Sequence, residues 1–374
     1  MSQAILSLLG GWWARWFHRA DGYTAPVSGV MARPDPDPAA APEAVAEAVA
    51  AFDAKAVEQS FLETVRLGAG DTASQAAFIA DGNVRESTLR ALEELKQIPA
   101  LQSLVQGVMR VMGQEGADVG EIVAALEKDS ALCVRILTMA NSVSISPEQR
   151  IVDVQTAVQM LGISRVRRLA QAVFTLRGAQ QMAEDLDWRH LWIHALATAA
   201  VAEELDRMVS AEPSKQLYMA GLLHDVGKIV LSTVDSDAYR DVVVASWNMQ
   251  GRLEDLECAR LGVGHREAGV IFAKANNLSE VVVEVIAHHD DPGQAESHRT
   301  EVALVAIANY MVKARGLGFS GARLDAADGD LEDHPAVRVL VEEVGRPLNF
   351  TLLQKEMIGF FATLREDLKG IGNS

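Results

Sequence analysis

Residues 220–228 have the sequence AGLLHDVGK, and this stretch predicts a buried helix that ends in a chemical site. The adjacent His224 and Asp225 can both turn toward one ion if they lie at a helix end. Gly227 would relieve crowding beside them, and Lys228 could contact an anionic phosphate. The stretch therefore indicates a candidate metal or phosphate site.

More histidines lie on both sides of this stretch: six of the nine in the chain fall between residues 190 and 289. Imidazole and carboxylate groups are ligands that Mn, Fe, Ni and Zn accept. The candidate metal ligands are His194, His224, Asp225, His265, His288 and His289. His190 is assigned to packing, because a single helical histidine is more often structural. A shared pocket for the candidates does not by itself guarantee a bound ion.

The composition predicts an all-α fold, since 49% of the residues are hydrophobic but only 5% are aromatic. We expect a first helical lobe in which the apolar stripes of residues 132–140 and 154–161 pack together. Asp153 can cap the second of these helices. A second lobe begins near Trp188 with a long helix. Further helices are expected at 81–96, 215–231, 238–250, 253–261, 265–275, 280–289, 300–315, 336–344 and 352–368.

The segment LLHDVGK, preceded by His194 and followed by His265 and His288-His289, resembles the HD superfamily. Its members use the His-Asp pair and flanking residues to bind metals and to hydrolyse phosphate esters. The resemblance implies that His194, His224, Asp225, His265 and His288 converge in one pocket of the second lobe.

Upstream motifs narrow the resemblance to the HDOD family, a helical signalling module of bacteria. They are IPAL at 98–101, DSAL at 129–132, IL at 136–137, ANS at 140–142 and AVQMLG at 157–162. The resemblance implies a two-lobed HDOD domain over residues 98–315, with lobes at 98–180 and 181–315. Residues 316–374 are then a loop and carboxy-terminal helices.

Two departures separate the sequence from catalytic relatives. HD enzymes resembling this chain close the metal site with a later aspartate, whereas Asn309 occupies the plausible position here. A neutral amide is a weaker ligand than a carboxylate. Residues 288–292, HHDDP, have the double histidine of the HD-GYP group but lack its Glu and Gly-Tyr-Pro continuation.

Two functions follow from these features. The first is a regulatory module that binds a partner protein or a nucleotide in a cleft between its lobes. The alternative is a metal-dependent phosphohydrolase or phosphodiesterase, in which the six candidate ligands hold one or two ions. Asp225 and Lys228 would then be the catalytic residues, with Lys228 stabilising charge on the phosphate.

The formal charge of −17 disfavours nucleic acid as the main partner, because phosphates would be repelled by most of the surface. The chain has two cysteines, Cys133 and Cys258, which fits a reducing cytoplasm without disulfides. Both lie in apolar helical patterns, so we expect them to be buried packing residues.

Residues 1–22 form an amphipathic aromatic segment, in which residues 1–18 suit peripheral contact with the inner membrane, a partner groove or the protein's own core. Residues 23–43 are rich in proline and small residues and indicate a flexible linker. Lead-in helices are expected at 44–97 as an amino-terminal helical extension. No run approaches the ~20 apolar residues of a membrane-spanning helix.

Overall fold

The computed structural model describes residues 82–95, 133, 136–137, 140–141, 151–169, 189–247, 252–321 and 331–372. These residues contain helices and no strand, which confirms the all-α expectation. The aromatic segment at 1–22, the linker at 23–43 and the lead-in region up to residue 81 lie outside the described residues, as do the upstream motifs at 98–101 and 129–132.

In the described part of the chain, each helix is numbered in order. The α-helices are α1 Gly82–Glu94, α2 Val154–Leu161, α3 Arg189–Val209, α4 Leu217–Leu223, α5 Val226–Val234, α6 Ser236–Trp247, α7 Leu253–Leu261, α8 His265–Ala275, α9 Glu280–His288, α10 Arg299–Ala314, α11 Pro335–Val344 and α12 Phe350–Gly372. Short 3-10 helices cover Pro292–Gln294 and Leu331–Asp333.

The chain divides into two compact units. One comprises residues 1–52 and 349–362, and the other comprises residues 53–348 and 363–374. In the first unit, the described residues form the amino-terminal part of α12. The second unit holds the other described residues, including all the candidate ligands.

A small apolar cluster forms around α2 in the second unit. Its buried members are Ile136, Ala140, Ile151, Val154, Ala157, Val158 and Val166. The predicted packing between the two apolar stripes is thus confirmed for their described residues. Asp153 caps α2 as expected, because its side chain accepts a hydrogen bond from the Thr156 amide at 2.7 Å. The cluster therefore forms because apolar residues recur at helical spacing and because Asp153 caps the start of α2.

The long helix α3 packs against α4 and α10. Its apolar residues recur at helical spacing and are buried, namely Leu191, Trp192, Ala195, Ala199 and Ala202. A Cβ at Gly221 of α4 would lie 2.8 Å from the Ala199 Cα atom, so small residues set how closely these helices approach. The apolar residues of α3 therefore determine how this helix packs beneath the site.

Helix α5 packs against α8, α8 against α9, and α9 against α4. At the first of these contacts, a Cβ at Gly227 would lie 1.8 Å from the His265 carbonyl oxygen. Only glycine fits between the two backbones at this point. The close contact brings the His224-Asp225 turn next to the start of α8.

The structure corrects the single helix expected at 215–231. Helix α4 ends at Leu223 and α5 begins at Val226, with His224 and Asp225 between them. Asp225 has φ −103° and ψ 12°, outside the helical region. Apolar periodicity continues through both helices, so it does not reveal the break.

Cys133 is partly buried and packs against the apolar cluster around α2, so its expected packing role is confirmed. The structure corrects the expected burial of Cys258, which is exposed, whereas the neighbouring Glu257 is fully buried. Helix α7 thus turns a carboxylate inward, and an apolar pattern alone gives no reason for this. Among the other expected helices, the bounds of α7 and α8 are confirmed exactly.

One stretch of the described residues, Leu217–Val234, is long and apolar enough to cross a membrane by length and composition alone. Buried residues make up 89% of it, as in the core helices of globular proteins. It covers α4, the His224-Asp225 turn and α5. Its apolar residues therefore belong to the buried helices that hold the site.

We expect Gly227→Ala to lower the free energy of unfolding by about 3 kcal/mol, because the added methyl group would force α5 and α8 apart. Gly359→Ala is the control, since a Cβ at this exposed helical position meets nothing within 4 Å. It should leave stability unchanged or raise it by up to about 1 kcal/mol. Urea denaturation of both variants measures the difference, and equal stabilities would contradict the close contact.

Candidate metal centre

Five of the six candidate ligands come together, four of them at helix ends. His224 and Asp225 lie in the turn between α4 and α5, His265 is the first residue of α8, and His289 directly follows α9. His194 reaches the same place from the second turn of α3. All five side chains are buried. They form what we call the His-Asp cluster.

Asp225 is the centre of this cluster. Its Oδ2 atom lies 3.2 Å from His224 Nε2 and 3.9 Å from His194 Nε2. Its Oδ1 atom lies 3.4 Å from His289 Nε2 and 3.7 Å from His265 Nε2. The carboxylate is therefore shared by two possible three-ligand groups, each with its donor atoms within 4.8 Å of one another.

Five of the ligand atoms that face one another in the cluster have no hydrogen-bond partner. They are His224 Nε2, His265 Nε2, His289 Nε2 and both carboxylate oxygens of Asp225. Leaving a buried polar atom unsatisfied costs about 1–3 kcal/mol, so such atoms seldom gather without a ligand. Imidazole nitrogens around a carboxylate are a donor set suited to a divalent transition metal. The residues present therefore fit a metal ion.

Backbone carbonyls orient two of the rings. His224 Nδ1 lies 2.7 Å from the Gly221 carbonyl oxygen, and His289 Nδ1 lies 3.2 Å from the Val285 carbonyl oxygen. A carbonyl can only accept, so each Nδ1 carries a proton and the Nε2 atom of each ring faces the cluster. Burial lowers the pKa of His224, which favours a neutral ring with an Nε2 lone pair.

Lys228 belongs to the cluster as an ion-pair partner. Its Nζ atom lies 2.7 Å from Asp225 Oδ2 and donates a hydrogen bond to the Ser320 carbonyl oxygen at 2.7 Å. Burial alone would raise the pKa of Asp225, but His224 and Lys228 hold it well below its usual range. The cluster therefore contains a buried carboxylate anion.

Asn309 of α10 lies beside His194 of the cluster. Its Oδ1 atom is 3.0 Å from His194 Nε2, and both side chains are buried. With this amide oxygen as acceptor, His194 donates its Nε2 proton to it. Burial and the neighbouring His224 lower the pKa of His194 well below its usual range, so this ring is neutral. The contact engages one of the candidate ligand atoms.

The structure does not bring His288 to the His-Asp cluster. Its Nε2 atom lies 3.8 Å from Glu284 Oε2, one helical turn back on α9. His289 instead points inward, because adjacent residues at a helix end face different directions. Of the two histidines in the HHDDP sequence, geometry thus favours the second.

Asp290 was missed by sequence reasoning. Its carboxylate oxygens lie 3.7 Å from His265 Nε2 and 3.6 Å from His289 Nε2, and its side chain is 27% exposed. Burial raises the pKa of Asp290, but His289 and His265 outweigh it and hold the pKa well below its usual range. Its place directly after two histidines was the available signal. It lies at the solvent-facing side of the cluster.

Glu257 was missed as well. Its carboxylate lies 2.6 Å from His265 Nδ1. Burial lowers the pKa of His265, but Glu257, with a smaller contribution from Asp290, raises it to about 9. A metal ion at Nε2 would therefore replace a proton. Nothing in the sequence around residue 257 distinguishes this glutamate from those on the surface of α7.

The HDOD domain model matches residues 98–292. The chain belongs to the HDOD family. The match covers the His-Asp cluster as far as Pro292 but ends before Asn309, and α1 precedes it.

Solved structures confirm the HDOD fold. An HDOD domain protein of unknown function from Geobacter sulfurreducens is 24% identical, with a TM-score of 0.61, and covers 78% of this chain and 99% of its own. A candidate phosphohydrolase from Shewanella amazonensis SB2B is 20% identical, with a TM-score of 0.52, and covers 76% of this chain and 98% of its own. A candidate signal transduction protein from Marinobacter aquaeolei VT8 is 19% identical, with a TM-score of 0.51, and covers 88% of this chain and 68% of its own.

One sequence relative is longer than this chain. An uncharacterized protein of Treponema pallidum is 26% identical over 227 residues, which are 59% of this chain and 43% of that protein. The chain thus spans less than half the length of this relative.

We expect Lys228→Met to lower the free energy of unfolding by about 3–5 kcal/mol when a chelator is present, because Asp225 loses its buried cationic partner. Lys274→Met makes the same change at an exposed position of α8 and should have little effect. Urea denaturation compares the two. A small loss for Lys228→Met would mean that the imidazoles alone compensate the carboxylate.

Proposed function

We propose that this HDOD protein is a regulatory signal-transduction module whose degenerate HD-type pocket binds a partner protein or a nucleotide. The observation that carries the proposal is the contact between Asn309 Oδ1 and His194 Nε2, at 3.0 Å. A neutral amide thus lies beside His194, where the resemblance to HD enzymes implies a carboxylate, and it engages a candidate ligand atom.

The Asn309 contact weakens metal chemistry in two ways. An amide oxygen does not offset the charge of a divalent ion, so the ion would be held less tightly than by an aspartate. His194 donates its Nε2 proton to this amide, so the lone pair needed for ligation is lost from that atom. Both effects favour a pocket retained for shape and signalling over one that performs hydrolysis.

The surroundings of Lys228 support the same function. Its ammonium is already used by Asp225 and by the Ser320 carbonyl, and Lys228 is buried. The segment that supplies Ser320 is also held by a hydrogen bond from the Phe319 amide to the His190 carbonyl at 3.0 Å. A phosphate would have to displace this segment to reach Lys228.

The partner is inferred from the charge of the chain and from its family. A formal charge of −17 disfavours nucleic acid, so a protein or a free nucleotide is the better match. We place the protein in the cytoplasm, with residues 1–18 available for peripheral contact with the inner membrane.

Metal-dependent phosphohydrolysis is the second candidate, because unsatisfied donor atoms face one another around Asp225. His224, Asp225, His265 and His289 would hold a divalent ion such as Mn, Fe, Ni or Zn, with Asp290 beside them. Such an ion polarises a phosphate oxygen and lowers the pKa of bound water. Lys228 could stabilise charge on the phosphate only after leaving Ser320.

Metal titration by calorimetry tests the pocket directly. We expect wild-type protein to bind Mn, Fe, Ni or Zn, and Asp225→Asn to lower that affinity more than about 100-fold, because it removes the shared anionic ligand. His288→Ala is the control, since this side chain faces Glu284 instead of the cluster. Equal losses in the two variants would place His288 among the ligands, and unchanged binding by Asp225→Asn would refute the metal site.

Activity separates the two candidate functions. We expect little or no hydrolysis of cyclic-di-GMP or simple phosphodiesters by wild-type protein loaded separately with manganese, iron or nickel, because the Asn309 position lacks a carboxylate. Asn309→Asp should tighten metal binding by restoring an anionic oxygen beside His194. Robust wild-type turnover that disappears in His224→Ala would overturn the regulatory function and establish the enzyme.

A further inference from the structure

Glu257 makes three hydrogen bonds inside the protein. Its side chain is 0% exposed on the inner face of α7. Oε2 accepts from the His265 amide at 2.8 Å and contacts His265 Nδ1 at 2.6 Å. Oε1 accepts from the Tyr239 hydroxyl of α6 at 3.0 Å. A carboxylate this deeply buried has its hydrogen-bonding capacity directed mainly at one histidine.

The two bonds to His265 restrict its geometry. One fixes the backbone at the start of α8 and the other fixes the ring, so the imidazole is held in one orientation. A carboxylate can only accept here, so Nδ1 carries a proton. The opposite ring atom, Nε2, then points at Asp225 Oδ1, 3.7 Å away. Tyr239 restrains the carboxylate from its other side.

We propose that Glu257 is the positioning residue of the pocket, which orients His265 and determines which ring nitrogen faces the His-Asp cluster, and that Tyr239 fixes Glu257. Outer carboxylates that hold a ligating histidine this way raise its basicity as well as its order. The effect on metal affinity rests on the proposed metal site, whereas the effect on ring orientation does not.

A purely structural role would leave a different signature. The bond from the His265 amide also satisfies a free donor at the start of α8, so loss of Glu257 could weaken that helix end. Stability would then fall while the His265 ring and the metal affinity stayed unchanged. The test must therefore follow the ring itself.

The test compares Glu257→Gln with Glu254→Gln. Glu254 lies one turn earlier on α7 and accepts hydrogen bonds from Arg266 at 2.8 and 2.9 Å, so its variant removes the same charge without breaking the bond to His265. We expect Glu257→Gln to lower Mn or Zn affinity by about 10- to 100-fold and Glu254→Gln to change it less than about 3-fold.

Nitrogen-15 NMR of the metal-free protein supplies the second measurement. We expect a downfield Nδ1 proton of His265, protected from exchange, in the wild type and in Glu254→Gln. In Glu257→Gln it should move upfield and exchange faster. Tyr239→Phe should shift it in the same direction by less, and this variant carries the test if Glu257→Gln does not fold.

The outcomes are distinguishable. Absence of metal binding by the wild type, with the Nδ1 proton behaving as expected, refutes the proposed metal site but supports the positioning role. A His265 proton that is unchanged in Glu257→Gln, or in Tyr239→Phe where only that variant folds, overturns the proposal. A fall in melting temperature alone, with ring and affinity unchanged, assigns Glu257 to the helix end.

Discussion

A buried carboxylate organises the centre of this protein. Placing the Asp225 anion away from water costs several kcal/mol unless cations or hydrogen-bond donors compensate it. Lys228 supplies a cation at 2.7 Å, and imidazoles surround both oxygens. The compensation works only if a helix breaks at Asp225, since an unbroken helix would not aim its side chain at three other helices. The apolar character of α4 and α5 then serves to bury an ion pair.

The same requirement explains where close packing occurs. Gly227 allows α5 to lie against the start of α8, which brings His265 to the carboxylate. Gly221 allows α4 to lie against α3, which brings His194 within reach. Both glycines flank the His224-Asp225 turn in sequence. Backbone contact on either side of the turn therefore sets the distances within the cluster, and the ring orientations follow from bonds to carbonyls and to Glu257.

Much of this could be predicted from the sequence, because apolar periodicity and histidine order are local signals. Apart from the break between α4 and α5, the described helices from α3 to α11 lie close to their expected positions, and five of the six expected ligands meet. The remainder depends on rotation about helix axes. The rotation of α7 about its axis turns Glu257 inward and leaves the next residue, Cys258, exposed. At the end of α9, the helix direction likewise turns His289 toward the cluster and the preceding residue, His288, away from it. When polar residues are buried in the core, the apolar pattern alone does not determine the rotation of a helix about its axis.

The position of Asn309 links this geometry to function. The cluster contains buried ligand atoms without hydrogen bonds around a carboxylate, which is costly without a bound ion. At the closing position it has an amide that binds His194 through a neutral hydrogen bond. The hydrogen bond between Asn309 and His194 joins α10 to α3 directly. An ion is therefore less necessary to hold these two helices together. In the proposed regulatory function this contact would hold the pocket together without an ion, whereas hydrolysis would require an ion held in one fixed geometry.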